Sequence, residues 1–325
     1  MSEVVNKRHF DAFNGDADGI CALIQLRRAE PKESILVTGV KRDINLLKRV
    51  DPRAGETVTA LDIAFEKNNA DVARILESGA SIFYVDHHNS GDLPEHDALE
   101  THINTAPDTC TSLIVDRLLG GQYRAWAITA AFGDNLTDVA RGLAQQSGFS
   151  AEETELLQKL GVCINYNGYG SSLEDLFYHP AELYQLMDAF DTPFDFVDAL
   201  PEVFETLATG YDSDMASASA LEPIRKTNTA ATFMLPDEQW ARRVSGVYGN
   251  DLANRSPKRA HAVITEKADG TYQVSVRAPL TNKAGADELV KQFPTGGGRK
   301  GAAGINVLPK DQLNAFIDAF EAQYS

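Results

Sequence analysis

The chain has 325 residues, with 30 basic and 47 acidic side chains and a net charge of −17. This length allows two domains with sizeable cores, and no apolar run reaches the roughly eighteen residues of a membrane span. So acidic a chain repels a long polyanion such as duplex DNA.

The elements read as follows in chain order. "MSEVVNKRHF" is expected not to act as a secretion signal, its apolar stretch being too short. "HFDAFN" is a predicted strand, and "GICALIQLRRA" follows with Ile20, Leu23, Ile24 and Arg27 at helical spacing. "SILVTGV" and "TVTALDI" read as strands, "NADVARILES" as a helix and "SIFYVD" as the next strand. "CTSLIVDRLLG" and "YRAWAITAAFG" fit helix or strand, and residues 138–226 look mostly helical. This alternation predicts an α/β fold with a doubly wound, mainly parallel sheet. Beyond about residue 227 the pattern changes. "NTAATFMLP", "AHAVITEK", "TYQVSVRAP" and "AAGINVLP" read as strands, with helices near 238–253, 284–293 and 310–323. The charge changes there too: residues 1–227 carry 18 basic against 37 acidic side chains, residues 228–325 carry 12 against 10. A first domain over 1–209, a small polar linker or hinge over 210–227 and a smaller α/β domain over 228–325 are therefore expected. Cys21, Cys110 and Cys163 are too few and too scattered for a disulfide framework or a zinc knuckle, and read as buried thiols of a cytoplasmic protein.

Acidic residues stand where these segments end. The first strand runs into "NGDADG", with Asp16 and Asp18; "TVTALD" ends on Asp62; "SIFYVD" ends on Asp86, followed by His87 and His88; "AITAAFGDN" ends on Asp134. In an open parallel sheet the ligand crevice lies outside the carboxyl ends of the strands, so this set is expected to converge. Gathered carboxylates repel one another unless a cation neutralises them. Asp16 and Asp18, at i and i+2, would point the same way in extended chain, one for each of two metals, with a third carboxylate bridging. Mixed carboxylate and imidazole donors suit Mn²⁺, with Fe, Co or Zn as alternatives. Two metals about 3.5–4 Å apart are an arrangement for phosphoester hydrolysis.

"GDADG", "VDHH" and the positions of Asp62 and Asp134 resemble the signature motifs of the DHH phosphoesterase superfamily. "TGGGRKGAAGI", 295–305, resembles the glycine-rich motif of the DHH-associated C-terminal domain. The resemblance covers nearly the whole chain. It implies a two-Mn²⁺ phosphodiesterase with its active site in the cleft between the domains. It implies Asp16 on one metal, Asp18 on the other and Asp62 on both, with His87 and Asp134 completing the ligand set of the second metal. Asp86 would orient an imidazole, and His88 would contact the scissile phosphate or donate a proton. Gly296, Gly297 and Gly298 would let backbone amides approach a phosphate or base edge. Two positions depart from the family pattern: Ala12 stands where many relatives have a histidine, and Arg299 where the glycine-rich motif usually has one. Asn14 is then a candidate oxygen donor or substrate contact. Arg299 offers a planar fork suited to phosphate or guanine, and Arg277 sits where relatives often have a substrate-contacting arginine. Arg242, Arg243, Arg255, Lys258 and Arg259 form a candidate basic rim, and "NYNGYGSS", 165–172, is a loop or a base-stacking lid.

The expected activity is hydrolysis of short oligonucleotides, foremost linear dinucleotides such as pGpG, to nucleoside monophosphates by a metal-bridging hydroxide. The alternatives are an exopolyphosphatase or a phosphatase of pAp-like esters, and a non-catalytic dinucleotide sensor. The expected partners are a short oligonucleotide and, as a candidate assembly, a second copy of the chain; long duplex DNA and membrane are not.

Overall fold

A computed structural model describes residues 7–325; residues 1–6, part of the stretch expected not to act as a secretion signal, lie outside them. Two compact units divide the described residues, one ending at Gly210 and the other spanning Tyr211–Ser325.

In the first unit β1 (His9–Phe13) leads into α1 (Ala17–Ala29). Then come β2 (Ile35–Val37), β3 (Thr57–Leu61), α2 (Phe65–Glu77), β4 (Ser81–Asp86) and β5 (Leu99–Ile103). These strands form a parallel sheet in the order β2-β1-β3-β4-β5. Alternation assigns the two faces: Phe10, Ala12, Val58, Ala60, Ile82 and Tyr84 share one buried apolar cluster with Phe65, Val72 and Ile75 of α2. Helices follow: α3 (Thr111–Leu118), α4 (Arg124–Gly133), α5 (Thr137–Gln146), α6 (Ala151–Asn167), α7 (Pro180–Met187), α8 (Pro193–Ala199) and α9 (Pro201–Ser219). Every residue of α4 from Ala125 to Gly133 is buried. A segment buried all round carries no periodicity, which is why "YRAWAITAAFG" fits either element in the sequence. The structure makes it a helix, so Asp134 is a helix C-cap and not the end of a strand. The small polar residues 210–219, expected as part of a hinge, continue α9, with Ala218 fully buried.

The second unit continues with β6 (Arg225–Lys226), β7 (Ala230–Leu235), α10 (Gln239–Arg255), β8 (Ala260–Glu266), β9 (Tyr272–Arg277) and α11 (Ala286–Val290). It ends with β10 (Gly296–Arg299), β11 (Ala302–Leu308) and α12 (Leu313–Gln323). Its mixed sheet has the order β10-β11-β9-β8-β7-β6, with β7 and β8 parallel and the other pairs antiparallel. Phe316 and Phe320 of α12 pack with Ile264, Val274 and Ile305 on one of its faces. Among the described residues no helix is long and apolar enough to cross a membrane.

Candidate metal centre

The order of the first sheet reverses beside β1: β2 lies on one side of it, and β3, β4 and β5 follow on the other. The crevice beyond the carboxyl ends of β1 and β3 is therefore the topological switch point, where ligands bind in sheets of this kind. The chain puts Asp16 just after β1 and Asp62 just after β3, while Asp86 ends the neighbouring β4. Asp62 has φ +57°, a left-handed conformation uncommon outside glycine. Its short polar side chain tolerates that turn at a cost of about 1 kcal/mol or more. The Asp62 N–H still donates to the Val85 carbonyl at 3.1 Å, so the ladder holds up to the turn.

His87 is the centre of the cluster. Its Nε2 lies 3.4 Å from Asp62 Oδ1, 3.8 Å from Asp134 Oδ2 and 3.9 Å from Asp18 Oδ2. Two donors on one ion at about 2.1 Å sit about 3.0–3.4 Å apart, so these four side chains need close only slightly on a cation. His88 Nδ1 lies 3.9 Å from Asp62 Oδ1 and is hydrogen-bonded to Asp86 Oδ1 at 2.7 Å. Asp86 is wholly buried, and its Oδ2 has no protein partner among the described residues. Burial, and then the charges of Asp18, Asp16, Asp86 and Asp134, push the Asp62 carboxyl well up. Burial and Asp18 push Asp134 up to about 6 against the pull of Lys41. The Asp86 bond raises His88. Gathered acids, an orphaned carboxylate oxygen and an imidazole facing three oxygens fit a divalent cation held by Asp18, Asp62, His87 and Asp134.

The Asp16 side differs. Asp16 and Asp18 are not in extended chain: Asp16 is the N-cap of α1 and Asp18 lies in its first turn. Asp16 Oδ1 accepts the N–H groups of Asp18 and Gly19 at 3.0 and 3.1 Å, and its Oδ2 accepts from the Lys41 ammonium. Burial alone would raise the Asp16 carboxyl, but Lys41 brings it below the ordinary value. Lys41 Nζ also donates to Asn165 Oδ1 at 2.9 Å and lies 3.7 Å from Asp134 Oδ1. Asn14 Nδ2 donates to the Lys41 carbonyl at 3.3 Å, while the buried Asn14 Oδ1 has no partner among the described residues. Ala12 packs in the apolar cluster, and His9 lies at the far end of β1 in a buried polar network with Asp11, Thr57 and Arg27.

Asp18 has a second task. Its two oxygens accept the N–H groups of Thr111 and Ser112 at 2.7 Å each, tying the N-terminus of α3 to α1. Asp134 is positioned by a close backbone crossing. A Cβ on Gly133 would lie 2.5 Å from Ala17 Cβ and 2.8 Å from the Gly161 carbonyl, so α4, α1 and α6 meet there with no room for a side chain.

In the second unit Arg277 donates to Asn250 Oδ1 at 2.6 Å, to Ser275 Oγ at 2.9 Å and to the Gly246 carbonyl at 3.2 Å, which fixes its fork. Arg299 ends β10 exposed, paired in register with Ala302. The three glycines differ. A Cβ on Gly296 would fall 1.8 Å from the Val290 carbonyl, and Gly298, at φ +141°, would meet Ala303 at 2.5 Å, whereas Gly297 faces open space. The first and third are thus needed by the chain's own packing. Arg243 is no part of an exposed rim: it is buried against Asp214. Asn165 and Tyr166 of "NYNGYGSS" are buried at the end of α6 rather than in a loop or lid. Burial raises the Cys21 and Cys110 thiols well above their ordinary value, which keeps them unreactive.

Residues 226–325 match the DHHA1 domain family. Exonuclease RecJ bound to manganese has the same fold, with TM-score 0.65 and 17% identity over 97% of this chain and 89% of that one. The pGpG-specific phosphodiesterase PggH of Vibrio cholerae aligns with TM-score 0.56 and 13% identity over 98% of this chain and 99% of that one. The second unit thus carries the DHHA1 match, and the chain as a whole shares the fold of these two structures. The Mn²⁺ complex of RecJ from Thermus thermophilus also aligns with this chain, with TM-score 0.64 and 18% identity over 97% of it, but over only 52% of RecJ. No curated protein matches this chain in sequence.

Lys41, Asn165, Thr111 and Ser112 belong to this centre and have no motif of their own. Lys41 stands in "GVKRDI", 25 residues from Asp16 and 124 from Asn165 along the chain. Only the polar start of "TCTS" before an apolar run hinted that α3 would begin beside an acceptor.

Proposed function

We propose that this protein is a metal-dependent phosphodiesterase of the DHH superfamily that cleaves short oligonucleotides, dinucleotides foremost, to nucleoside monophosphates. The observation that carries the reading is the convergence of His87 Nε2 on three carboxylates beside the His88–Asp86 pair. Asp18, Asp62, His87 and Asp134 would hold a divalent ion, Mn²⁺ first among the candidates. Bound there, such an ion acidifies water and offsets charge on a phosphoryl group. The remaining roles fall to the chain. His88 is partly exposed, and Asp86 engages its Nδ1, which raises its pKa and leaves Nε2 free to give a proton to a departing oxygen. Asp86 fixes the ring orientation for that transfer. Arg299 and the open backbone at Gly297 are proposed to hold a phosphate or a base edge, with Arg277 as a further, pre-oriented cation. The match to a pGpG-specific phosphodiesterase over nearly the full length of both chains supports a short substrate.

The test is incubation with Mn²⁺ and pGpG, other dinucleotides, longer single strands, pAp and polyphosphate, followed by chromatography. Dinucleotides should be cleaved fastest, with monophosphate products. Equal rates on long single strands would favour RecJ-like processing. Indifference to the base would favour a phosphate-ester hydrolase, and binding without turnover a sensor. Arg299→Ala should slow dinucleotide cleavage by about ten- to a few hundred-fold, about 1.5–3 kcal/mol for a charge-assisted contact. It should leave bis-p-nitrophenyl phosphate hydrolysis largely intact.

A further inference from the structure

We infer that the Lys41 ammonium takes the place of one cation of the two-metal arrangement, so that the chain binds a single divalent ion. The inference rests on the metal-dependent reading above. Of the two expected metal positions, only the one around His87 offers several donors that still face one another. The other was to be built on Asp16; backbone N–H groups, which Asp16 Oδ1 and both Asp18 oxygens accept, do not exclude an ion, but Asp16 Oδ2 faces the Lys41 ammonium, a cation already in place. Ala12, packed in the apolar cluster, brings no donor. Lys41 is not a stray surface side chain swung inward. Its N–H donates to the Gly168 carbonyl at 2.8 Å, and its own carbonyl accepts from Asn14 at 3.3 Å, so the backbone is fixed from both sides.

The surroundings of the ammonium are those of a held cation. It meets Asp16, Asn165 Oδ1 at 2.9 Å and Asp134 Oδ1 at 3.7 Å, with the Tyr169 ring centroid 5.8 Å away. Two of these oxygens are within hydrogen-bond reach of the ammonium, and the third faces it as a charge. A divalent ion in the same space would lie against a permanent positive charge. Lys41 is then a positioning residue that neutralises the Asp16 side of the crevice and leaves the divalent ion to the His87 side.

The test reads metal content rather than turnover. Metal-free full-length protein is titrated with Mn²⁺ and followed by calorimetry, elemental analysis after desalting, and electron paramagnetic resonance. One ion per chain with the six-line spectrum of an isolated Mn²⁺ is expected. Lys41→Ala should take up a second ion and turn that spectrum into that of an exchange-coupled pair. Lys41→Arg, which keeps the charge, should stay at one. Two ions per wild-type chain would overturn the inference and leave the phosphodiesterase reading standing. No binding at all would overturn both. A folded Lys41→Ala protein that still binds one ion would remove Lys41 from this role.

Discussion

Replacing Asp134 by asparagine should make the metal-free protein more stable, by an amount that grows from about pH 3.8 and levels off above about pH 6. The Asp134 and Asp18 carboxylates offer donor atoms within 4.8 Å of each other. At an effective dielectric of about 20 this is a repulsion of about 3.5 kcal/mol. Lys41, 3.7 Å away, returns about 4.5 kcal/mol by the same arithmetic, but it is shared with Asp16. The two terms nearly offset, and burial decides: the carboxyl moves from 3.8 up to about 6. That shift is about 3 kcal/mol of cost in ionising the folded side chain. A carboxyl raised in this way stabilises the fold below about pH 3.8, and the contribution is lost as pH rises through about 6. The neutral amide of the variant has no such loss. Allowing for the residual exposure of the site, Asp134→Asn should gain about 1–3 kcal/mol at pH 8, or about 3–9 °C in Tm. At pH 5 about half of that gain should remain, and below about pH 3.8 none. Thermal melts of both proteins in EDTA at pH 5, 6, 7 and 8 measure it. Added Mn²⁺ should raise the wild-type Tm more than that of the variant. A variant less stable than wild type at pH 8, or a gain equal at pH 5 and pH 8, would refute the reasoning.

Asp18→Ala should act in the opposite direction. It strips the acceptor from two buried N–H groups of α3 and should cost about 2–4 kcal/mol in EDTA, read by urea unfolding. Gly296→Ala and Gly298→Ala should each cost more than about 3 kcal/mol, because their Cβ atoms would meet Val290 and Ala303, while Gly297→Ala should change stability by under about 0.5 kcal/mol in thermal melts. Burial and Arg259 push His261 from 6.5 down to about 4, so its contribution is present above about pH 6.5 and lost as pH falls through about 4, up to about 3 kcal/mol. Urea titrations across that window should show a shallower pH dependence for His261→Gln.

The acids at Asp16, Asp62 and Asp86 were legible because strand ends in a parallel sheet are marked by both pattern and position. Asp134 was legible as a candidate for the wrong reason: the uniformly apolar "AITAAFG" before it fits a buried strand as well as a buried helix. β5, "LETHI", escaped notice because it is an edge strand with Glu100 and His102, held by backbone pairing to β4 and not by an apolar pattern. β10, "GGGR", has no intrinsic strand preference and forms because β11 pairs with it. Lys41 could not be found from sequence. Its partners come from α1, α4 and α6, and no local spacing encodes a meeting that packing creates.

The crossing of α4, α1 and α6 behind Asp134 has a consequence for ion choice. Where a gap is lined by backbone and Cβ atoms alone, no rotamer change can widen or narrow it. The spacing between the α1 acids and Asp134 can then adjust only through the torsions of the carboxylates themselves. Discrimination by ionic radius would therefore be fixed by two glycines, Gly133 and Gly161, neither of which can touch the ion. A single added methyl at either position would meet a neighbour at 2.5 Å or closer and should cost stability, and in a protein that still folds it should retune the metal preference without altering one ligand.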